Sequence, residues 1–423
     1  MAGVLRDFEQ LIETEPGLKD LADGMFNEVP QNSYYDWDPS HRYARVQGYQ
    51  HMLRLFNEVL VTAPTWNAGA AAAGMAGAPF NAILAWPMAT ASGQAFFLNK
   101  KVNKAIQKVL KEWGRFLQTE DSAEAIDSWL ENVAADDKNP FEQLYLCDPN
   151  KPHHGFSSWD AFFTREFRDG VRPLAAPDDG PPFLLPTTDT PVDPTAVIIS
   201  PCESVTYWRS TSVQARDTFW LKGQPYSLSE MLDHDALASR FTNGTVHQSW
   251  VEAESYHRWH APVSGTIVKT ATIRGSYFAQ LPAAGFPDPD PTGQNFSLRY
   301  LTSVATRSLV FIEADNPDIG LMCFVAVSMM EVSSCEVIVK AGQYVRKGDQ
   351  IGMFHFGGST QCLVFRPGVE LDWVPEACPP FCGDYCGEPK MILVNSWLAC
   401  VRKPEMWVDA EGCVVVERAG LAP

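Results

Sequence analysis

The chain has no unbroken apolar run long enough to cross a bilayer, which takes about 20 mainly apolar residues. The nearest approach is residues 61–99, which carry no charged side chain but are broken by Pro64, Pro79 and Pro87 and hold Asn67, Asn81, Ser92 and Gln94. Rich in alanine and glycine, this stretch is expected to form close-packed helices, with no stable membrane insertion. Basic residues are scarce: 33 Lys and Arg against 51 Asp and Glu leave a formal net charge of −18. That balance argues against nucleic acid and against docking on an anionic membrane. Met1–Glu15 has neither the apolar core of a secretory signal nor the basic character of a transit peptide. A cytoplasmic location follows as the expectation, with the ten cysteines as reduced thiols. The zinc-knuckle spacing is also missing. Cys378, Cys382 and Cys386 are separated by three-residue gaps and no histidine follows them. No metal is expected there; the cluster reads as a surface hairpin, with a disulfide open if the chain is secreted.

What is present is an ordinary globular composition, 45% hydrophobic and 20% charged over 423 residues, enough for two domains. The expected class is α+β. A helical domain over 1–150 precedes a β-rich domain over 151–423. In the first part Val46, Tyr49, Leu53, Phe56 and Leu60 share one helix face, and Val102, Ile106, Val109, Trp113 and Phe116 share another. The far side of that second helix carries Lys100, Lys101, Lys104, Lys108, Lys111 and Arg115, read as the solvated face of a two- or three-helix bundle. A proline-dense stretch from 175 to 195 reads as a linker or surface-hugging loop. Short β runs follow at 196–199, 265–268, 308–312, 321–327 and 336–339. The proline-rich segment Leu281–Gly293 is either a lid or a long connection.

Three short segments carry chemistry. His355-Phe356-Gly357-Gly358-Ser359-Thr360 places a hydroxyl behind two glycines, so the Gly358 carbonyl is uncrowded and the backbone can take strained conformations. Alone this would be a glycine-serine hairpin. Tyr256-His257-Arg258-Trp259-His260 supplies imidazoles, and Ser200-Pro201-Cys202-Glu203-Ser204 supplies a carboxylate. Carboxylate, imidazole and hydroxyl are the parts of an activated nucleophile, recognised by role rather than order. The expected self-cleavage has His260 taking the Ser359 proton, Glu203 orienting the imidazole, and the hydroxyl attacking the Gly358 carbonyl.

Together with Phe162–Pro173 and Leu221–Leu228, these segments resemble the phosphatidylserine decarboxylase family in order and spacing, from about Phe156 to the C-terminus. The resemblance implies a barrel-sandwich-like catalytic domain. It also implies autocatalytic cleavage between Gly358 and Ser359 into chains 1–358 and 359–423 that remain associated, and a covalent pyruvoyl group made from Ser359. That group serves where other decarboxylases use pyridoxal phosphate, for which the chain has no defensible Schiff-base lysine. By the same resemblance His257 is the proton donor or carboxylate contact in turnover, with His355 and Phe356 as further substrate-contact candidates. The chain departs from the family at Glu203 and Ser204, where an aspartate and a glycine are usual, which implies a reshaped site.

The acidic character, the helical extension and Glu203 together resemble the fungal members that act on soluble aromatic amino acids, notably L-tryptophan. Decarboxylation of L-tryptophan to tryptamine is therefore the expectation, with phosphatidylserine as the alternative substrate. A third reading belongs to another class. His260–Val268 and Gly342–Gly352 look like the halves of a biotinyl or lipoyl carrier module, but no modified-lysine hairpin lies between them. Shared architecture explains that likeness without a carrier function.

Overall fold

The computed structural model describes residues 1–133, 140–216, 226–331, 334–357, 359–379 and 390–402, with two further short strands at Met406–Val408 and Val414–Val416. Helices fill the first part. Gly3–Thr14, Leu18–Asn27 and Tyr49–Val59 bury one face each, the last with Tyr49, Met52, Leu53, Phe56 and Val59. Val46 and Leu60 flank that helix and are buried beside it. The uncharged stretch forms Ala68–Ala72, Pro79–Met88 and Ala91–Leu98. Pro79–Met88 is buried along its whole length, and among the described residues no helix is long and apolar enough to cross a membrane. Lys100–Leu117 starts where the Asn99 side chain accepts the Lys101 and Val102 amides. It buries Val102, Ile106, Val109 and Trp113 and turns its lysines outward. The two or three helices expected are thus more numerous and shorter, because prolines and glycines cut the uncharged stretch into pieces.

The second part is built on eight antiparallel strands. In spatial order they are Tyr344–Val345, Gly265–Ile273, Arg307–Ala314, Leu321–Ser328, Ser359–Phe365, Gly244–Val251, Ser204–Val213 and Met391–Ile392. Met322, Phe324, Ala326, Leu363 and Phe365 pack into one apolar cluster and Cys323, Val325, Cys362 and Val364 into another. The central strands are therefore covered on both faces, which is why they read as continuous apolar runs. Two three-stranded sheets accompany this one. All are open; among the described residues no barrel closes.

A single apolar cluster joins the two parts, carrying Phe97 and Trp113 together with Tyr256, Tyr277, Phe278 and Phe356. The proline-dense stretch after 175 hugs the surface, since the buried Lys347 ammonium bonds the carbonyls of Ala176 and Pro194. Leu281–Gly293 is a packed connection: Asp290 is buried and accepts the amides of Thr292 and Phe296. Six described cysteines are free thiols. Cys378 is disulfide-bonded, against the expectation of fully reduced thiols, while Cys382 and Cys386 lie outside the described residues. No group of metal-binding side chains occurs among the described residues.

Candidate active site

Ser359 opens the central strand of the large sheet. Its register partners are Val251 on one side and Ser328 on the other. The turn before it runs through Phe356 at φ 57° and Gly357 at φ 97°, left-handed backbone that favours glycine. Gly358 lies outside the described residues. The Ser359 side chain has no exposed surface, and its Oγ has no hydrogen-bond partner. A buried hydroxyl left unpaired costs stability and marks a functional position.

That hydroxyl sits in the wall of a cavity of about 480 Å³. Tyr207, Trp250, Phe296, Met329 and Met330 make most of the apolar surface, and Ala71, Gly74 and Ala76 close it from the helical part. Glu252 and Glu254 contribute its carboxylates. Burial, and then the neighbouring Glu254, push the Glu252 carboxyl above its ordinary range; the residue is nonetheless exposed.

The histidine segment follows Glu254 in the chain, but neither His257 nor His260 is among the described lining residues, and the expected hydrogen bond from Ser359 to His260 is not made. His260 donates its backbone N–H to the Pro201 carbonyl, so the strand Arg258–His260 does run beside the 200–204 segment. The expected carboxylate–imidazole contact is not made, however. Glu203 is paired with Arg172, and both His260 ring nitrogens are engaged elsewhere. Nδ1 is 2.7 Å from the Gly348 carbonyl oxygen, which can only accept, so Nδ1 carries the proton and Nε2 is the basic nitrogen. Nε2 accepts from the Tyr256 hydroxyl at 3.0 Å. Burial holds the His260 pKa below its ordinary value, leaving the ring neutral. Glu203 reaches His260 by a longer route. The Arg172 guanidinium lies 4.5 Å over the Phe167 ring, and Phe167 stacks on Tyr256 at 4.3 Å.

His257 is fully buried and stacks on Phe163 with ring centroids 3.7 Å apart. Neither ring nitrogen completes a hydrogen bond of ordinary geometry. Burial, reinforced by the Arg165 charge, drives its pKa well below the usual value, so it too is neutral. Arg165 positions the whole segment. Its guanidinium donates to the carbonyls of Glu254 and Ser255 and sits 4.5 Å over Tyr145.

His355 and Phe356 are placed differently from expectation, outside the lining of the Ser359 cavity. His355 is clasped between Asp160 at 2.9 Å and Glu336 at 2.7 Å. Burial lowers its pKa, but the two carboxylates outweigh that and raise it. Phe356 packs on Trp113 at 6.0 Å and fills the space above Gly114, where a Cβ would stand 2.8 Å from its ring. Both residues line a separate cleft against the Lys100–Leu117 helix. The two stand in or beside the turn that leads to Ser359.

Sequence reasoning missed Arg172, Tyr256, Glu252 and Glu254. Arg172 and Tyr256 stood inside quoted segments, but residue types alone do not show that an arginine intercepts a carboxylate. The only signal for the glutamates was their place just upstream of Tyr256-His257.

Comparison with known proteins shows the family. A family model described as phosphatidylserine decarboxylase matches residues 159–377, and a second of the same description matches residues 2–137. Decarboxylase iboD of Amanita muscaria is 42% identical over 346 residues, covering 77% of this chain and 92% of that protein. L-tryptophan decarboxylase of Psilocybe cubensis is 34% identical over 396 residues, covering 89% and 83%. Phosphatidylserine decarboxylase proenzyme 3 of Schizosaccharomyces pombe is 31% identical over 229 residues, 54% of this chain and 21% of that one. The chain belongs to the phosphatidylserine decarboxylase family and is a carboxy-lyase.

Proposed function

We propose that the chain cleaves itself between Gly358 and Ser359 and then decarboxylates a soluble aromatic L-amino acid, foremost L-tryptophan, to its amine and CO2. The observation that carries this reading is the aromatic and methionine-lined cavity with the unpaired Ser359 hydroxyl in its wall. Its volume of about 480 Å³ suits one amino acid with a large ring. The second part of the chain, in the barrel-sandwich reading, supplies the site, and the helical part closes it.

The residues fit a pyruvoyl group formed in place. Ser359 is buried and unpartnered, is preceded by left-handed backbone, and stands among the residues lining the cavity. In processing, Ser359 Oγ attacks the Gly358 carbonyl while neutral His260 receives the proton at Nε2, directly or through the Tyr256 hydroxyl. The Gly358–Ser359 C–N bond then breaks as the proton passes to the amine, leaving an ester. Elimination releases Gly358 as a carboxylate and leaves dehydroalanine, which water hydrolyses to the pyruvoyl group and ammonia. Glu203 and Arg172 act at a distance, holding Phe167 and Tyr256 so that this nitrogen faces the right way. Once formed, the pyruvoyl group supplies an electron sink for an amine-bearing substrate. His257, neutral and without a hydrogen bond of ordinary geometry, can hand a proton to the substrate carbon or bind the departing carboxylate.

Phosphatidylserine is the competing substrate. Its phosphodiester would sit beside Glu252 and Glu254 with no lysine, arginine or histidine among the described lining residues, whereas anionic phosphates are held by basic groups. The deciding experiment gives purified enzyme L-tryptophan without detergent or pyridoxal phosphate, and phosphatidylserine in mixed micelles. CO2 release from L-tryptophan is expected; release from the lipid alone would refute the proposal.

A further inference from the structure

We infer that Glu252 and Glu254 form a charge filter on the cavity, admitting cationic amines and amino acids with neutral side chains and turning away ligands that bring an extra negative charge. The inference rests on the proposed amino-acid substrate for its biological meaning, though not for its binding test.

The pair is built into the site. Val251, the residue before Glu252, faces Ser359 across the sheet. The Ser255 amide then closes a turn on the Glu252 carbonyl at 3.0 Å, so both glutamates leave one short corner beside the nucleophile. Arg165 fixes that corner through the Glu254 and Ser255 carbonyls. Trp66, from the helical part, donates its indole N–H to Glu254 Oε1 at 3.1 Å, which holds that side chain at the cavity edge. Arg165 does not neutralise the pair, since its bonds go to backbone oxygens and its face to Tyr145. The remaining described lining adds no positive side chain. The ligand these carboxylates meet is marked by Ser359, buried and unpartnered in the same wall. Two carboxylates in a described lining that holds no basic side chain make the cavity favourable for an ammonium and unfavourable for a carboxylate or phosphate. Burial, and after it the neighbouring Glu254, raise the Glu252 pKa.

The test uses the full chain as the Ser359→Ala variant, which stays uncut, and two ligands of nearly equal shape. Tryptamine and 3-indolepropionate carry an ammonium and a carboxylate on the same two-carbon arm. Calorimetry at pH 7.5 should show tryptamine binding at least tenfold tighter. Glu252→Gln with Glu254→Gln should shrink the gap below threefold. Trp66→Phe, a milder change, should narrow it by a smaller factor with the melting profile retained. Equal affinities, tighter binding of the anion, no binding of either ligand, or an unchanged gap in the double variant would each overturn the filter. Turnover of L-tryptophan by processed wild-type enzyme is scored separately. If turnover is absent while the cation preference holds, the substrate proposal fails and the filter stands.

Discussion

At the scale of single residues, the two histidines separate by their bonds. His260 has a proton on Nδ1 and a basic Nε2; His257 has neither nitrogen in a hydrogen bond of ordinary geometry. His260→Ala is expected to leave one intact chain on denaturing mass spectrometry. His257→Ala should still yield chains 1–358 and 359–423 and lose at least 100-fold in turnover, the low end for a general acid or base. Glu203→Gln and Arg172→Ala should slow cleavage about tenfold to 100-fold. That is less than the ~10⁴-fold lost when a carboxylate touching the imidazole is neutralised, because Glu203 acts through Arg172, Phe167 and Tyr256. A drop as large as 10⁴ in Glu203→Gln would restore direct contact. His260 is neutral well below pH 7 because burial depresses its pKa. The processing rate should therefore hold from pH 8 to pH 6.5 and fall only in more acid solution, as followed by gel densitometry.

At the scale of elements, two contacts tie the helical part to the site. The helix Pro79–Met88 begins without a side-chain cap of its own. Glu331 caps it from across the interface, accepting the Asn81 amide at 2.7 Å. Glu331 is fully buried, its other oxygen is unpaired, and burial raises its pKa from 4.5 to about 8. The folded protein therefore keeps a proton that the unfolded chain loses above pH 4.5. Stability from this group falls as pH rises from 4.5 to 8, by about 1.4 kcal/mol per pH unit. Glu331→Gln should remove that slope from urea midpoints measured between pH 5 and 8. The second contact is Gly114 beneath Phe356. Gly114→Ala should cost about 1–3 kcal/mol by overpacking and slow self-cleavage, since Phe356 belongs to the turn being cut.

The same elements show what the sequence made legible. The β runs at 265–268, 308–312 and 321–327 lie within strands, because double-faced burial writes itself as an apolar run. The Lys100–Leu117 helix was visible from its period. The uncharged stretch was legible as close-packed helices, but their number and bounds were not, since alanine and glycine carry no face. In the site, Ser359 and His257 were visible as types in a pattern. The Arg172–Glu203 pair was hidden because a guanidinium within reach outcompetes a more distant imidazole, a matter of distance that spacing along the chain does not encode.

At the scale of the molecule, the buried histidines set an acid limit. His247 bonds Thr206 at 3.1 Å, stacks on Trp373 at 4.9 Å, and has its pKa lowered by burial and Arg209 to about 3. Below pH 6.5 the unfolded chain takes up a proton there that the folded one refuses. Stability from His247 should fall by about 1.4 kcal/mol per pH unit down to pH 3, and His257 adds a loss of the same sign. Thermal melts should show the steepest decline between pH 6 and 4, shallower in His247→Gln.

The strand that begins at Ser359 is paired on both sides and buried at every position. Under the proposed cleavage, a chain end would arise inside a sheet that is already complete, and the two products would stay interlocked until the sheet itself melts. Before the cut, folding is an event within one chain; afterwards it would be a meeting of two, one of them a fragment whose central strand has lost its covalent lead. On that proposal the protein would have a single opportunity to fold, and its catalytic group would record that the opportunity was used. Heat-denatured processed enzyme should stay inactive on cooling and elute as separate chains, while uncut Ser359→Ala protein regains its native far-ultraviolet dichroism to a much greater extent.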